Sequence, residues 1–332
     1  GWNVVTGYLD SAARGAGKDK QTAHDDRYEV ADEYMELVYK LWEGSWEDAA
    51  VLRDRARGIF ADPTKVHAVA HEGNNYRLNA IHLSEPSPQR TPVLYQAGTS
   101  PRGRQFAAEH AECVFMSGPS AKIIGPRVAA IRELAAEAGR NPAEILMFSM
   151  FTVILGRTDA EAKAKYDDYR SHVSAEGALT LMSGWTGVDF STYDLDQQVR
   201  HVENDAGRSA MDNVTRADPD RVWTVREVAQ HVGIGGAGPV AIGTPEKVAD
   251  AIETWFEQTD VDGLNMPFAV SPGDFEDIAD MLVPELTRRG RYKQAYAEGT
   301  LREKLFGAGR ARLTAEHPAN KYRPGVRAKA AE

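Results

Sequence analysis

The sequence holds a single cysteine, Cys113, among its 332 residues. That excludes an internal disulfide and any multi-cysteine metal centre, and it suits a reducing, cytoplasmic setting. Within Ala111-Glu112-Cys113-Val114-Phe115-Met116 the thiol reads as small apolar filler of a core rather than as a nucleophile. Long apolar runs are also missing: nothing approaches the ~18 residues that a membrane span requires, so no membrane segment is expected. Nor is there an excess of positive charge. The formal net charge is −10, and Lys and Arg are scattered apart from a mildly basic stretch, Lys321 to Lys329. A nucleic-acid groove needs a concentrated cationic face, so nucleic acid is excluded as a partner. The first residues, Gly1-Trp2-Asn3-Val4-Val5-Thr6-Gly7-Tyr8, carry no initiator Met and read as a buried strand ending in a polar turn. The expectation is that part of a larger enzyme precedes them.

What is present is the balance of a globular chain, 42% hydrophobic and 27% charged, arranged as repeated strand-then-helix units. Asp25 to Glu43 is predicted as an amphipathic helix with Val30, Tyr34, Leu37, Val38 and Leu41 inward. Thr91 to Gly98 is a strand; Ser100 can cap a helix whose first residue is Pro101 and which runs to His110. The cycle repeats with strand Cys113 to Ser117 and a helix from about Ser120 to Gly139. Next come a continuous strand from Ile145 to Leu155 and a helix opened by Thr158, with Glu161 in capping-box position. Thr244-Pro245-Glu246 starts another helix, Val261 to Val270 is a strand, and Gly273 to Arg289 is the last helix. Alternation of this kind means a parallel sheet covered by helices. Five strands fall short of a closed eight-stranded barrel by about three units. Two segments interrupt the alternation. Residues 45–89 contain a hairpin, Val66 to Val69 against Tyr76 to Leu78, and 174–238 is a long polar, Gly-rich insertion of the kind that forms functional lids.

A literal Gly-x-Gly-x-x-Gly stands at Gly233, Gly235 and Gly238. A dinucleotide site needs a strand before these glycines and a helix after them; here a helical stretch precedes and Pro239-Val240-Ala241-Ile242 follows, so a flexible hinge is expected instead. The segment Gln96 to Arg104 is more informative. Small residues there permit close backbone approach, Ser100 offers a hydroxyl, and a helix N-terminus points outward at the C-terminal end of a parallel strand, which together make a phosphate seat. His24 and Tyr28, four apart at the start of the first helix, share a face on the same rim. No histidine pair has metal-binding spacing, and no metal is expected.

The stretches GWNVVT, HDDRYEVADEYMELVYKLWEGSWEDAAVLRD, DPTKVH, HLSEPSPQRTPVLYQAGTSPRGRQFAAEHAECVF, VPELTRRGRY and GTLREKLFG resemble the flavin-dependent monooxygenases of the bacterial-luciferase superfamily. The similar branch contains the nitrilotriacetate, dibenzothiophene sulfone, long-chain alkane and dimethyl sulfide monooxygenases. GWTGVDF, VEND, WTVREV and GIGGAGPV look most like the dimethyl sulfide members. The resemblance implies one (β/α)8 TIM-barrel domain of the luciferase-like type across 1–332. It would have insertions at about 45–89 and 174–238, a tail from about 290 to 332, and its first strands missing from this chain. It further implies oxygenation of a small organosulfur compound such as dimethyl sulfide, with reduced FMN (FMNH2) and O2. A separate NAD(P)H:FMN reductase would consume the NADH, and the full-length protein would form a homo-oligomer. Carried over by position, His24, Tyr28 and Ser100 surround the flavin phosphate with Ala97, Gly98 and Thr99 beside them, while Asn3 and Thr6 end a strand facing the flavin. Alkane-oxidising relatives carry histidines where this chain has Tyr8 and Leu181; Tyr8 is taken as the catalytic-pocket residue, and its identity argues against alkanes. The alternatives are a long-chain alkane or other xenobiotic monooxygenase, a deazaflavin-dependent oxidoreductase of the same superfamily, and a truncated non-catalytic module that binds a phosphorylated ligand at the Ser100 helix.

Overall fold

The computed structural model describes residues 1–324. The stretch from Gly325 onward, including most of the basic segment Lys321 to Lys329 and the end of the tail, lies outside the described residues.

Five parallel strands form the main sheet: β1 (Trp2–Val4), β2 (Leu94–Gln96), β3 (Cys113–Met116), β4 (Leu146–Met150) and, at the far edge, Gly263–Asn265. The order of strands in the sheet is their order along the chain, although two strands that pair outside it, Thr152–Leu155 and Val240–Gly243, come between β4 and Gly263–Asn265. That is the arrangement of a barrel arc: β1 and Gly263–Asn265 are its two edges, and no pairing closes it among the described residues. The helices that cover one face include α1 (His24–Gly44), α2 (Pro101–His110) and α3 (Ala121–Glu137). Val114, Met116 and Met147 point into that layer and are buried with Ile124, Val128 and Ile131. Cys113, on the opposite face of β3, is fully buried, and burial pushes its thiol up to about 12, so it behaves as the filler expected.

The opposite face is only half covered. Tyr95 stacks on Phe115 with ring centroids 5.2 Å apart, and Phe115 meets Phe148 at 6.0 Å, giving an aromatic ladder across three strands. Asn3 pairs in register with Tyr95 at the open end of this ladder.

Several sequence expectations need correction. The strand Ile145 to Leu155 is two strands, since at Phe151 the chain leaves the main sheet, and Thr152–Leu155 pairs in parallel with Val240–Gly243, a strand the sequence reading had not counted. Val261 to Val270 shortens to Gly263–Asn265. The last helix is interrupted by a π-turn at Ile278–Leu282 just before Pro284, whose ring nitrogen cannot donate to the preceding turn. In α1 the buried residues are His24, Arg27, Tyr28, Met35, Val38, Tyr39 and Glu43, so of the expected face only Val38 is buried. The apolar side carrying Tyr34 and Leu37 instead flanks Trp2 and Trp42, with Trp2 to Tyr34 centroids 6.2 Å apart. Residues 45–89 hold two hairpins, Val51–Asp54 with Ile59–Ala61 and Val69–Glu72 with Arg77–Ala80, the second displaced slightly from the expected register.

The 174–238 insertion builds its own core, in which Met182 of helix Ala175–Thr186 and Val228 of helix Val225–Gly235 are buried with Phe190, Met211 and Trp223 from the segments between these helices. The second of these starts with a full capping box of Thr224 and Glu227. Gly233 and Gly235 lie in its last turns and a strand follows, so the glycine motif has the helix-first order that rules out a dinucleotide turn. No helix among the described residues is long and apolar enough to cross a membrane.

Candidate active site

The C-terminal ends of the strands gather the residues that the sequence singled out. Ser100 lies in extended backbone just past β2, and its Oγ accepts from the Gly103 amide at 3.1 Å, which fixes the first turn of α2 behind Pro101. Tyr28, one turn into α1, is buried, and its hydroxyl bonds to the Ser100 and Thr6 side chains; burial raises its pKa, so it is a neutral phenol. A Cβ built on Gly98 would collide with the Tyr28 hydroxyl, and one on Gly103 would lie 2.8 Å from both that hydroxyl and the Gly98 carbonyl. Glycine at both positions is what allows this loop to close around the phenol. Beneath it, Gln96 is buried with no partner for its Oε1 among the described residues.

His24 packs against Tyr28 with centroids 5.4 Å apart, and its Nδ1 meets Asp25 at 2.6 Å. Thr99 is buried, while Ala97 and Asn3 are exposed toward the open side. Thr6, Tyr28, Gly98, Thr99 and Ser100 thus form one cluster with His24 at its margin. Tyr8 stands apart. It is 37% exposed in the loop that follows β1 and makes no side-chain bond within the described residues. Leu181, 53% exposed, lies on the insertion's first helix.

Sequence reasoning missed what holds the insertion against this rim. Asp205 accepts from the His24 amide at 3.1 Å, its carbonyl accepts from Arg27 Nη2 at 2.8 Å, and Arg208 reaches Asp25 at 3.5 Å. Arg27 was visible in HDDRY, but nothing local marks it as the residue that grips a segment about 180 positions away.

A cavity of about 590 Å³ lies elsewhere, between α1 and the second hairpin, and carboxylates of Glu29, Asp32, Glu33, Glu72 and Glu109 dominate its wall. Asp32, Glu109 and His110 bring ligand atoms within 4.8 Å of one another there. Asp32 is already bonded to Arg102 and to His110 Nε2, and Tyr39 takes His110 Nδ1, so the group is a closed ion-pair network. An acidic wall repels a phosphate, so the rim is the better anion site of the two.

Residues 1–263 match the model of the luciferase-like monooxygenase family. The chain is 48% identical over 322 residues to the dimethyl-sulfide monooxygenase of Hyphomicrobium sulfonivorans, covering 97% of this chain and 67% of that protein. It is 44% identical to the long-chain alkane monooxygenase of Geobacillus thermodenitrificans (strain NG80-2), covering 97% and 69%. The crystal structure of a riboflavin lyase with modified FMN and riboflavin superposes with a TM-score of 0.89 at 38% identity, covering 98% of this chain and 71% of that one. The chain belongs to the luciferase-like monooxygenase family, and its sheet is an arc of that family's barrel. It is an oxygenating enzyme of this family.

Proposed function

We propose that the protein is the oxygenase component of a two-component system. It would take FMNH2 from a separate NAD(P)H:FMN reductase and use O2 to oxygenate a small organosulfur compound such as dimethyl sulfide. The observation that carries this reading is the Thr6–Tyr28–Ser100 cluster at the head of α2, which fits the dianionic end of FMN. Three hydroxyls, a glycine loop and the amide end of a helix of ten residues converge where backbone can approach a phosphate closely. When bound, reduced FMN supplies the electrons that let one atom of O2 enter the substrate while the other leaves as water.

The chain's own part is positioning. Tyr28, held neutral, and Ser100 donate hydrogen bonds toward the phosphate, and His24 borders the seat. The Tyr95–Phe115–Phe148 ladder offers an apolar wall that an isoalloxazine ring can lie against and that keeps water off one side. Tyr8 and Leu181 border the substrate space in this reading. A phenol and an aliphatic side chain there provide no general base, which favours a nucleophilic sulfur over an unactivated C–H bond. The similarity to the dimethyl-sulfide monooxygenase supports the same choice. The test is an assay with a flavin reductase, NADH, FMN and O2, comparing dimethyl sulfide with hexadecane. Sulfide-dependent product is expected; turnover of hexadecane but not of the sulfide would overturn the substrate assignment.

A further inference from the structure

Two helix ends meet at residues 204–208 of the insertion. α1 begins at His24, and the residue before it, Ala23, has no side chain that can cap the free amides of the first turn. The cap comes from the insertion instead, where Asp205 Oδ1 accepts from the His24 amide at 3.1 Å. Arg27, 6% exposed, ties the same turn down, donating to the Thr22 carbonyl at 2.6 Å and to the Asp205 carbonyl at 2.8 Å. On its other side the segment satisfies the opposite end of a helix. The last two carbonyls of Ala175–Thr186 lie where that helix supplies no amide; Thr186 accepts from Asn204 Nδ2 at 2.7 Å and Trp185 from the Gly207 amide at 2.9 Å. A Cβ on Gly207 would lie 2.3 Å from the Trp185 oxygen, so glycine is what allows this approach. Asn204 Oδ1 in turn accepts from the Ala206 amide at 2.9 Å, which fixes the shape of the segment. The Asp205–Arg208 ion pair, at 3.6 Å between half-exposed side chains, adds little beside these bonds.

The helix held from one side of this segment carries Leu181, and the helix held from the other carries His24 and Tyr28. We propose that Asn204 and Asp205 are positioning residues that clamp the two helices together, so that filling the phosphate seat also fixes the helix bordering the substrate. The proposal rests on reading the Thr6–Tyr28–Ser100 cluster as that seat. Neither residue touches the flavin in this role. Tyr28 stands one turn on from the capped amide, and its hydroxyl bonds to Ser100 and Thr6. A phosphate that engages these groups together selects the clamped arrangement; riboflavin, which has no phosphate, does not.

The test is backbone hydrogen exchange over 24–28 and 175–187, measured without flavin, with FMN and with riboflavin, alongside fluorescence titration of both flavins. Without flavin, Asp205→Ala is expected to speed exchange in 24–28 about fivefold, the order of a lost cap, and Asp205→Asn, which keeps an acceptor oxygen but not the charge, to exchange at the native rate. Equal acceleration in both variants would assign the effect to charge and overturn the cap. FMN is expected to slow exchange in 175–187 of the native protein, and riboflavin is not. In Asn204→Ala that response should disappear while FMN still slows exchange in 24–28. Asp205→Ala should weaken FMN binding about fivefold and leave riboflavin binding unchanged, a split that general loss of stability would not produce. Equal weakening of both flavins, or a native response of 175–187 in Asn204→Ala, overturns the proposal. If FMN and riboflavin bind the native protein with equal affinity, the phosphate-seat reading fails and the coupling fails with it, whereas the flavin-free exchange decides the cap separately.

Discussion

Single residues at the rim show what sequence can and cannot reveal. Ser100, Pro101 and the small residues before them announce a capped helix after a strand, because capping is local chemistry, and the structure has that cap. His24 and Tyr28 could be paired from their spacing alone. Gln96 and Arg27 could not be picked out, since their meaning lies in partners that are missing or distant in sequence, and no local pattern encodes an unsatisfied atom. Tyr28→Phe and Ser100→Ala are each expected to weaken FMN binding by about 1–2 kcal/mol, the worth of one hydrogen bond to a charged phosphate. Riboflavin affinity should hardly change. Fluorescence titration with both flavins checks this, and unchanged FMN affinity in both variants would place the phosphate seat elsewhere. Gly98→Ala should be worse than either, since its methyl group meets the Tyr28 hydroxyl directly.

At the level of elements, the alternation of strands and helices was legible because buried parallel strands leave continuous apolar runs. The α1 face was misread because its buried side is built from Tyr28, Tyr39, His24 and Glu43, whose polar ends find partners that an apolar count ignores. The segment from Thr300 to Arg323 was also illegible. It folds back over the sheet through two ion pairs, Arg302 with Glu112 at 2.7 Å, buried, and Arg323 with Glu43 at 2.6 Å, partly buried, contacts between residues 190 and 280 positions apart. His317 seats this strap, its Nε2 bonded to the His110 carbonyl at 3.0 Å and its Nδ1 accepting from the Ala319 amide at 3.2 Å. Burial, with Arg140 nearby, holds its pKa well below 6.5, so the ring is neutral in the fold. A proton on Nδ1 would face the Ala319 N–H. The unfolded chain takes up that proton below about pH 6.5 while the folded chain does not, so this contribution to stability is complete above that pH. As pH falls further it is lost at about 1.4 kcal/mol per unit, until the folded pKa is reached. Urea unfolding at pH 7.5, 6 and 5 should show this slope, reduced by the same amount in His317→Asn, which keeps an acceptor for the Ala319 amide. An identical slope in the variant would rule His317 out as its source.

For the whole molecule, family membership was legible from long motifs, and the parallel sheet from its periodicity. The half-exposed aromatic face and an outer edge of β1 that pairs with no strand among the described residues appear only once strand order is known. An apolar face beside a free strand edge favours association, so the 332-residue chain on its own should self-associate and bind a hydrophobic dye. A monomer that unfolds in one cooperative step with no dye binding would contradict that. The central claim is that this rim uses reduced flavin to place one atom of O2 into a substrate. It is tested most directly by mixing the protein with photoreduced FMN and dimethyl sulfide without reductase, then admitting 18O2 and measuring label in the product by mass spectrometry. One 18O atom per product molecule, dependent on reduced FMN, is the predicted result; flavin oxidation that yields only hydrogen peroxide, with no label in any product, would contradict it.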